Sequence, residues 1–352
     1  MIWLQRHWTR ATLTSTLLLP LAWLFSLLVF LRRLAYRRGW LQAIHVGVPV
    51  IVVGNITAGG SGKTPLVIWL ANALRSRGLR PGVVSRGYGG AASGCVVVDR
   101  RSDPREVGDE PLLIHYKTGV PVVVGRDRVA AARTLLARHP GIDLILSDDG
   151  LQHYRLHRDI ELAVLDAASG LGNARALPAG PLREPPSRLA TVDAVIEVMR
   201  GTDFPPGKAS DKTWTVSYLA GQAYPLLDPQ RKTALQDLPP RAWLAVGGIG
   251  QPQGFFDMLS AHGLRFSPRS FADHHAYRAG DLPREAAVLM TEKDAVKCLG
   301  FAAADWWAVE LEVRPQPGLL EYLCARLEGG NKTPQQADGR HRRSGGHAGK
   351  GG

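Results

Sequence analysis

The first 98 residues contain neither aspartate nor glutamate. Against that absence stand Arg6, Arg10, Arg32, Arg33, Arg37, Arg38, Lys63, Arg75, Arg77, Arg80 and Arg86, so the front third holds most of the formal +12 charge. Such a basic front implies a membrane surface, an anionic substrate or a nucleic acid. The bases surround a hydrophobic run and a phosphate-type loop and build no recognisable nucleic-acid module, so no nucleic-acid partner is expected. Cysteine is scarce as well: Cys95, Cys298 and Cys324 lie far apart, without a CxxC or a Cys/His cluster. That spacing excludes a disulfide framework and a structural zinc site, and it fits a reducing compartment. Internal repeats are absent. A chain of 352 residues that is 45% hydrophobic and 21% charged is neither wholly disordered nor fibrous, and its length suggests about two domains.

Charge vanishes altogether in ATLTSTLLLPLAWLFSLLVFL (11–31), 21 residues that as a helix would span roughly 31 Å, enough to cross the hydrocarbon of a bilayer. The run ends in Arg32-Arg33 and Arg37-Arg38 and not at a small-residue site, which argues against a cleaved signal peptide. Pro20 would kink a spanning helix, and Trp3, Trp8, Trp23, Phe25, Phe30, Tyr36 and Trp40 suit a helix lying in the interface. Spanning and embedded helices both fit. The greater number of arginines on the C-terminal side places the rest of the protein in the cytoplasm.

Beyond Gly39 the pattern alternates between strand and helix. Apolar strands are expected at 47–53, 81–85, 95–99, 120–124, 143–147 and 160–166, with helices at 64–77, 107–117 and 128–139. This alternation predicts an α/β fold: a P-loop NTPase-type parallel sheet domain (39–200), a second, smaller α/β domain (212–328) and an N-terminal membrane-associated helix (1–38). The stretch 201–211, with Pro205-Pro206, reads as the boundary. The glycine-rich basic tail 329–352 is too polar to fold alone.

The chemistry begins at GNITAGGSGKTP (54–65), which joins a strand to a helix. Gly62-Lys63-Thr64 forms the GK[ST] end of a P-loop, although Thr57 stands where the first glycine is usual. Thr57, Ala58, Gly59, Gly60, Ser61, Gly62, Lys63 and Thr64 would cradle ATP. In that loop Lys63 would reach the β- and γ-phosphates, while Thr64 would ligand Mg²⁺. A strand at 144–147 then leads into Asp148-Asp149, carboxylates placed where a nucleotide-bound metal needs them. Transfer to a hydroxyl also needs a base. Asp109-Glu110 in VGDEP and the Asp273-His274-His275 run of FADHHAY supply carboxylates and imidazoles, although an aspartate opening a helix is more often its N-cap and a histidine pair in a loop more often surface decoration.

These motifs together with SRGYGG (85–90), DDGLQHYRLHRD (148–159), LPAGPLREP (177–185) and MTEKDAVK (290–297) occur in one order that closely resembles the tetraacyldisaccharide 4'-kinase family of Gram-negative bacteria. The resemblance runs from the N-terminal helix to about residue 325. It implies an enzyme on the cytoplasmic face of the inner membrane that moves the ATP γ-phosphate to the 4'-hydroxyl of tetraacyldisaccharide 1-phosphate, in lipid A biosynthesis. It implies Asp109 as catalytic base with His274 as partner, and catalytic roles for Lys63 and Arg128. Thr64, Asp148, Asp149 and Glu184 are implied around the metal, and Tyr88, Gln152, His153 and Arg183 around the substrate. Lys293 and Asp294 could recognise the nucleotide, or MTEKDAVK could simply cap a helix. The membrane and the glycolipid are the expected partners, with no obligate protein partner. A P-loop ATPase or GTPase switch at a membrane would share the loop and acidic pair but would have no need of the Asp–His elements.

Overall fold

The computed structural model describes residues 7–201 and 211–330. Most of the boundary stretch and most of the glycine-rich tail, together with Trp3, therefore lie outside the described residues.

The N-terminal segment forms helices α1 (Leu13–Leu17) and α2 (Leu19–Arg37), with Pro20 in the first turn of α2, where a missing N–H costs nothing. The position that would kink a helix interior here opens one. Strands follow in chain order: β1 (Val50–Gly54), β2 (Pro81–Ser85), β3 (Val96–Val98), β4 (Val122–Val124), β5 (Leu144–Asp148), β6 (Ile160–Asp166), β7 (Ala194–Arg200), β8 (Thr213–Pro225), β9 (Trp243–Gly247), β10 (Phe266–Ser270), β11 (Ala287–Thr291) and β12 (Trp306–Pro315). Between and after them lie α3 (Lys63–Ser76), α4 (Pro104–Val107), α5 (Asp109–Thr118), α6 (Arg128–Arg138), α7 (Pro252–Ala261), α8 (Glu292–Cys298) and α9 (Leu319–Gly330).

The described strands join in one sheet of order β10-β9-β11-β12-β8-β7-β6-β1-β5-β2-β4-β3. From β8 to β4 every neighbour is parallel, and β3 closes that edge antiparallel. Strand β1 is buried along its whole length because both its faces are covered. Ile51 and Val53 pack with Leu66, Leu70 and Leu74 of α3 on one side, and Val50 and Val52 pack with Val129 and Leu135 of α6 on the other. Each such fully buried aliphatic side chain contributes about 1.5–3 kcal/mol.

Strands β12, β11, β9 and β10 form a second parallel set, joined to the first by the antiparallel pair β8/β12. The first half of β8 pairs with β7, up to Tyr218 opposite Arg200, and its second half runs on past β7 to pair with the start of β12. The second set thus lies beyond the carboxyl ends of the first and runs back toward them. That reversal makes the loops following both sets of strands face each other.

Candidate active site

Strand β1 delivers the P-loop. A Cβ on Gly54 would lie 2.8 Å from the Leu151 side chain, so the strand can end this close to its neighbour only as glycine. The loop is held from outside: the Ala58 N–H donates to the Pro181 carbonyl (2.7 Å), and the Arg183 N–H to that of Ile56 (2.7 Å). Thr57 bridges to Leu182. Gly59 and Gly62 adopt φ +120° and +80°, backbone that favours glycine. Gly60 is exposed, whereas Ser61 is buried with its Oγ unpartnered. Lys63 and Thr64, both buried, open α3, so the helix N-terminus and the ammonium face the same spot. The Lys63 Nζ lies 3.5 Å from Asp149 Oδ1.

At the end of β5 the adjacent carboxylates have opposite characters. Asp148 is buried; one oxygen accepts from the Ser85 hydroxyl at 3.0 Å and, among the described residues, Oδ1 has no hydrogen-bond partner. Burial first, then the charges of Glu110 and Asp149, push its carboxyl up to about 7. Asp149, at φ +47°, is also penalised by burial, but Lys63 and Arg183 outweigh this and hold it below its usual value. The Arg183 guanidinium contacts both its oxygens at 3.2–3.3 Å.

Asp109 is the first residue of α5, behind Gly108, and so does not cap that helix. Its carboxylate faces His274, which follows β10: Nδ1 lies 3.0 Å from each oxygen. A carboxylate only accepts, so Nδ1 carries the proton. Burial raises the Asp109 value, but the His274 hydrogen bond and the charges of Lys293, His274 and Lys297 bring the net shift downward. The His274 imidazole is shifted up, chiefly by its bond to Asp109. Lys297 Nζ stands 3.8 Å from Asp109, and Lys293 pairs with Glu110 (3.0 Å) and Asp273 (3.6 Å). Asp109, Glu110 and His274 also offer ligand atoms within 4.8 Å of one another.

The remaining expected residues fall into four groups. Tyr88 sits over His274, ring centroids 5.3 Å apart. Arg128 is buried under the acidic pair and donates to the carbonyls of Gly125 (2.8 Å) and Asp148 (3.0 Å); burial lowers its guanidinium to about 10. His153 accepts from the Arg128 N–H at 3.3 Å, at the start of α6, and burial together with the Arg128 charge pulls it down to about 4. Gln152 donates to the Asn55 carbonyl and to Glu184, both at 2.9 Å. Glu184 in turn accepts from the Tyr154 hydroxyl and pairs with Arg188 (3.3 Å) and Arg33 (3.8 Å), so its carboxylate is engaged behind the P-loop. Asp294 is fully buried, accepts from the Gly248 N–H (3.0 Å) and the Thr291 hydroxyl (2.8 Å) and pairs with Lys297 (2.8 Å). Its N–H donates to the Thr291 Oγ1 (3.2 Å), and this geometry supports the helix-cap reading of MTEKDAVK.

Sequence reasoning passed over Lys297, Tyr154 and Arg188. Nothing in spacing marks them, because their partners lie on other elements.

Helix α2 lies against this site. Arg32 stacks over the Tyr154 ring, Tyr36 packs beside the same ring, and Phe25, Ser26 and Val29 face Leu182, Arg183 and Pro185. Its other side leaves Leu21, Trp23, Leu24, Leu27, Leu28, Phe30 and Leu31 exposed.

A parallel sheet whose first strand feeds a P-loop, a carboxylate pair at the neighbouring strand end and a half-buried His274 on a buried Asp109 define a P-loop phosphotransferase. The family described as LpxK, "Tetraacyldisaccharide-1-P 4'-kinase", matches residues 14–328, and the chain belongs to that family. A relative from Thiobacillus denitrificans named tetraacyldisaccharide 4'-kinase is 62% identical over 327 residues, 93% of this chain and 99% of the relative. One of the same name from Methylobacillus flagellatus is 46% identical over 92% of this chain and 96% of its own length. Among solved structures, the "apo" form of LpxK from Aquifex aeolicus in complex with ATP superimposes with a TM-score of 0.77 at 28% identity, covering 90% of this chain and 100% of that one.

Proposed function

We propose that the protein is the bacterial ATP-dependent kinase of lipid A biosynthesis that phosphorylates the 4'-hydroxyl of tetraacyldisaccharide 1-phosphate. Family membership carries the activity, and the Asp109–His274 pair is the observation that fits it to a hydroxyl acceptor. A P-loop switch that only hydrolyses nucleotide would not need that pair.

The P-loop backbone from Thr57 to Thr64 holds the ATP phosphates, and Lys63 takes the charge that gathers on the transferring phosphoryl group. Asp109 accepts the 4'-hydroxyl proton as that oxygen bonds to the γ-phosphorus and the bond to the β-phosphate oxygen breaks, leaving ADP. His274 holds the carboxylate in place through Nδ1. Tyr88 and Arg183 line the acceptor side. Arg128 and His153 support the Asp148 strand end from below, and Glu184 fixes Gln152 behind the P-loop.

Mg²⁺ fits the residues present: a buried Asp148 oxygen without a partner, the Asp149 carboxylate beside it and the Thr64 hydroxyl at the helix start are hard oxygen donors. When bound, the ion neutralises charge on the phosphates.

Two lobes are read, 39–200 and 212–328, with the catalytic cleft between them and β8 joining them, its first half parallel to β7 and its second antiparallel to β12. The change of strand direction at β8/β12 supports this division. Helix α2 is long and apolar enough to cross a membrane, but its middle and its C-terminal end both contact the catalytic body. A bilayer-spanning helix cannot do that, so we read α2 as lying in the cytoplasmic leaflet of the inner membrane, where an acid-free basic front meets anionic lipid. This reading requires a lipid surface and no protein partner. The test is label transfer: detergent-solubilised protein with γ-labelled ATP, Mg²⁺ and tetraacyldisaccharide 1-phosphate should place label in the lipid. ATP hydrolysis without lipid label would instead favour the switch.

A further inference from the structure

We infer that His275, the residue that follows the partner of the base, is a positioning residue for the reaction: anchored on Asp281, it fixes the turn that presents His274 to Asp109. The inference rests on the reading that Asp109 takes the proton of a hydroxyl acceptor.

His274 needs such an anchor. Among the described residues, 271–286 form neither helix nor strand, so no ladder of backbone bonds fixes its ring. His274 adopts φ +58°, left-handed backbone that a residue with a Cβ keeps only where its surroundings hold it. Its own N–H donates to the side chain of exposed Asp273 (3.1 Å), which is a local bond and ties the turn to nothing else. A return to the common backbone basin would swing the imidazole off Asp109.

The neighbouring imidazole supplies the fixed point. His275 Nε2 lies 2.9 Å from Asp281 Oδ2 and, since a carboxylate only accepts, carries the proton. The same oxygen accepts the Arg278 N–H (2.9 Å), so one carboxylate closes the stretch 275–281 on itself. The His275 ring stacks on Phe271, centroids 4.6 Å apart and planes 26° from parallel, and meets Tyr277 edge-on at 4.8 Å. Both aromatics belong to the body of their lobe. The Phe271 N–H donates to the Gly247 carbonyl at the end of β9 (2.9 Å), and Tyr277 is buried with Val246, Leu282 and Met290. His275 closes the turn from the other end as well, its N–H donating to the Ala272 carbonyl (3.0 Å).

The two histidines of the run therefore divide the work. His274 reaches across to Asp109 at 3.0 Å, while His275 reaches back to Asp281 and the aromatic pair. Tyr277 links the anchor to the base a second time, because the Lys297 ammonium lies over its ring at 5.0 Å and stands 3.8 Å from Asp109. Displacement of a reacting group by about 1 Å costs on the order of 10²-fold in rate, so loss of the anchor should be read in turnover.

The test is a double-mutant cycle on kcat, with tetraacyldisaccharide 1-phosphate and Mg²⁺-ATP in mixed micelles. His275→Ala should lower kcat about 10- to 100-fold and leave KM for ATP unchanged. In a His274→Ala background the same change should cost less than about twofold, because the group it positions is gone. His275→Gln, which restores an N–H donor toward Asp281, should recover part of kcat. Asp281→Ala should reproduce the loss through the partner and be equally silent without His274, which keeps the test open if His275→Ala does not fold. Equal losses in both backgrounds, or wild-type kcat in His275→Ala and Asp281→Ala, would overturn the assignment. Wild-type protein that labels no lipid would instead sink the kinase reading itself, and the anchor with it.

Discussion

The imidazole Nδ1 of His274 lies 3.0 Å from both carboxylate oxygens of Asp109, a residue 165 positions earlier in the chain. Burial alone would raise the Asp109 carboxyl; the His274 bond and the charges of Lys293, His274 and Lys297 reverse the shift. His274→Ala removes that hydrogen bond and leaves the burial. The acid limb of kcat/KM should move to higher pH in that variant, with the plateau rate down about 100-fold or more. A pH–rate profile on both proteins checks this, and an unmoved acid limb would show that His274 does not set the base.

The same pair makes stability depend on pH in a defined direction. His274 is raised above its ordinary 6.5, so its contribution is complete below that value and is lost as pH climbs through the folded-state value. Asp109 is lowered from 3.8, so its contribution is present above 3.8 and is lost as pH falls through the folded-state value. The Tm gap between wild type and His274→Ala should therefore be widest from about pH 4 to 6.5 and narrow toward pH 9. A gap that widened with pH would contradict the assigned contact.

Separating chemistry from binding requires two substitutions at different ends of the reaction. Asp109→Asn keeps the shape and removes the proton acceptor, so kcat should drop about 10²–10⁴-fold while KM for ATP stays. Lys63→Ala takes away charge that grows in the transition state and should cost about 10³-fold or more in kcat. Steady-state kinetics together with equilibrium binding of a nucleotide analogue distinguishes the two, since only Lys63→Ala touches the phosphates.

How much of this is legible in the sequence depends on whether the partners are neighbours in the chain. Lys63 and Thr64 stand out because the P-loop is contiguous, and the Asp148-Asp149 pair because it ends a solid apolar strand. Strand β10 does not, since FSPRS carries Pro268 and mostly exposed residues, as an edge strand can. Strand β7 has a clear apolar core and still goes unnoticed beside the boundary stretch. The continuous sheet is equally hidden, because alternation predicts strands without their order. Lys297 beside Asp109 and Tyr154 on Glu184 require the antiparallel β8/β12 seam and the packing of α2, neither of which leaves a local signal.

Asp148 gives the metal question a pH handle. With its carboxyl pushed up to about 7, a proton and Mg²⁺ compete for the same oxygens. The Mg²⁺ concentration for half-maximal rate should fall between pH 6 and pH 8, by up to about tenfold per unit below pH 7. Asp148→Asn should abolish that pH dependence while raising the Mg²⁺ requirement. Magnesium titrations at a series of pH values provide the check. A requirement independent of pH in wild type would remove Asp148 from the metal site.

Helix α2 offers the membrane its exposed side and the active site its buried one. Leu24 and Leu28 are 55% and 58% exposed and lie one turn apart on α2, so their burial must come from outside the chain. Burying one leucine contributes about 1.5–3 kcal/mol, so Leu24→Glu with Leu28→Glu should weaken binding to anionic vesicles by two orders of magnitude or so. The body should still fold, because Arg33, Tyr36 and Ser26 keep their contacts on the other side. Vesicle co-sedimentation measures the first effect and thermal melting the second. If the variant sediments like wild type with an unchanged melt, the lipid-facing surface lies elsewhere, and α2 serves only as a strut behind Glu184.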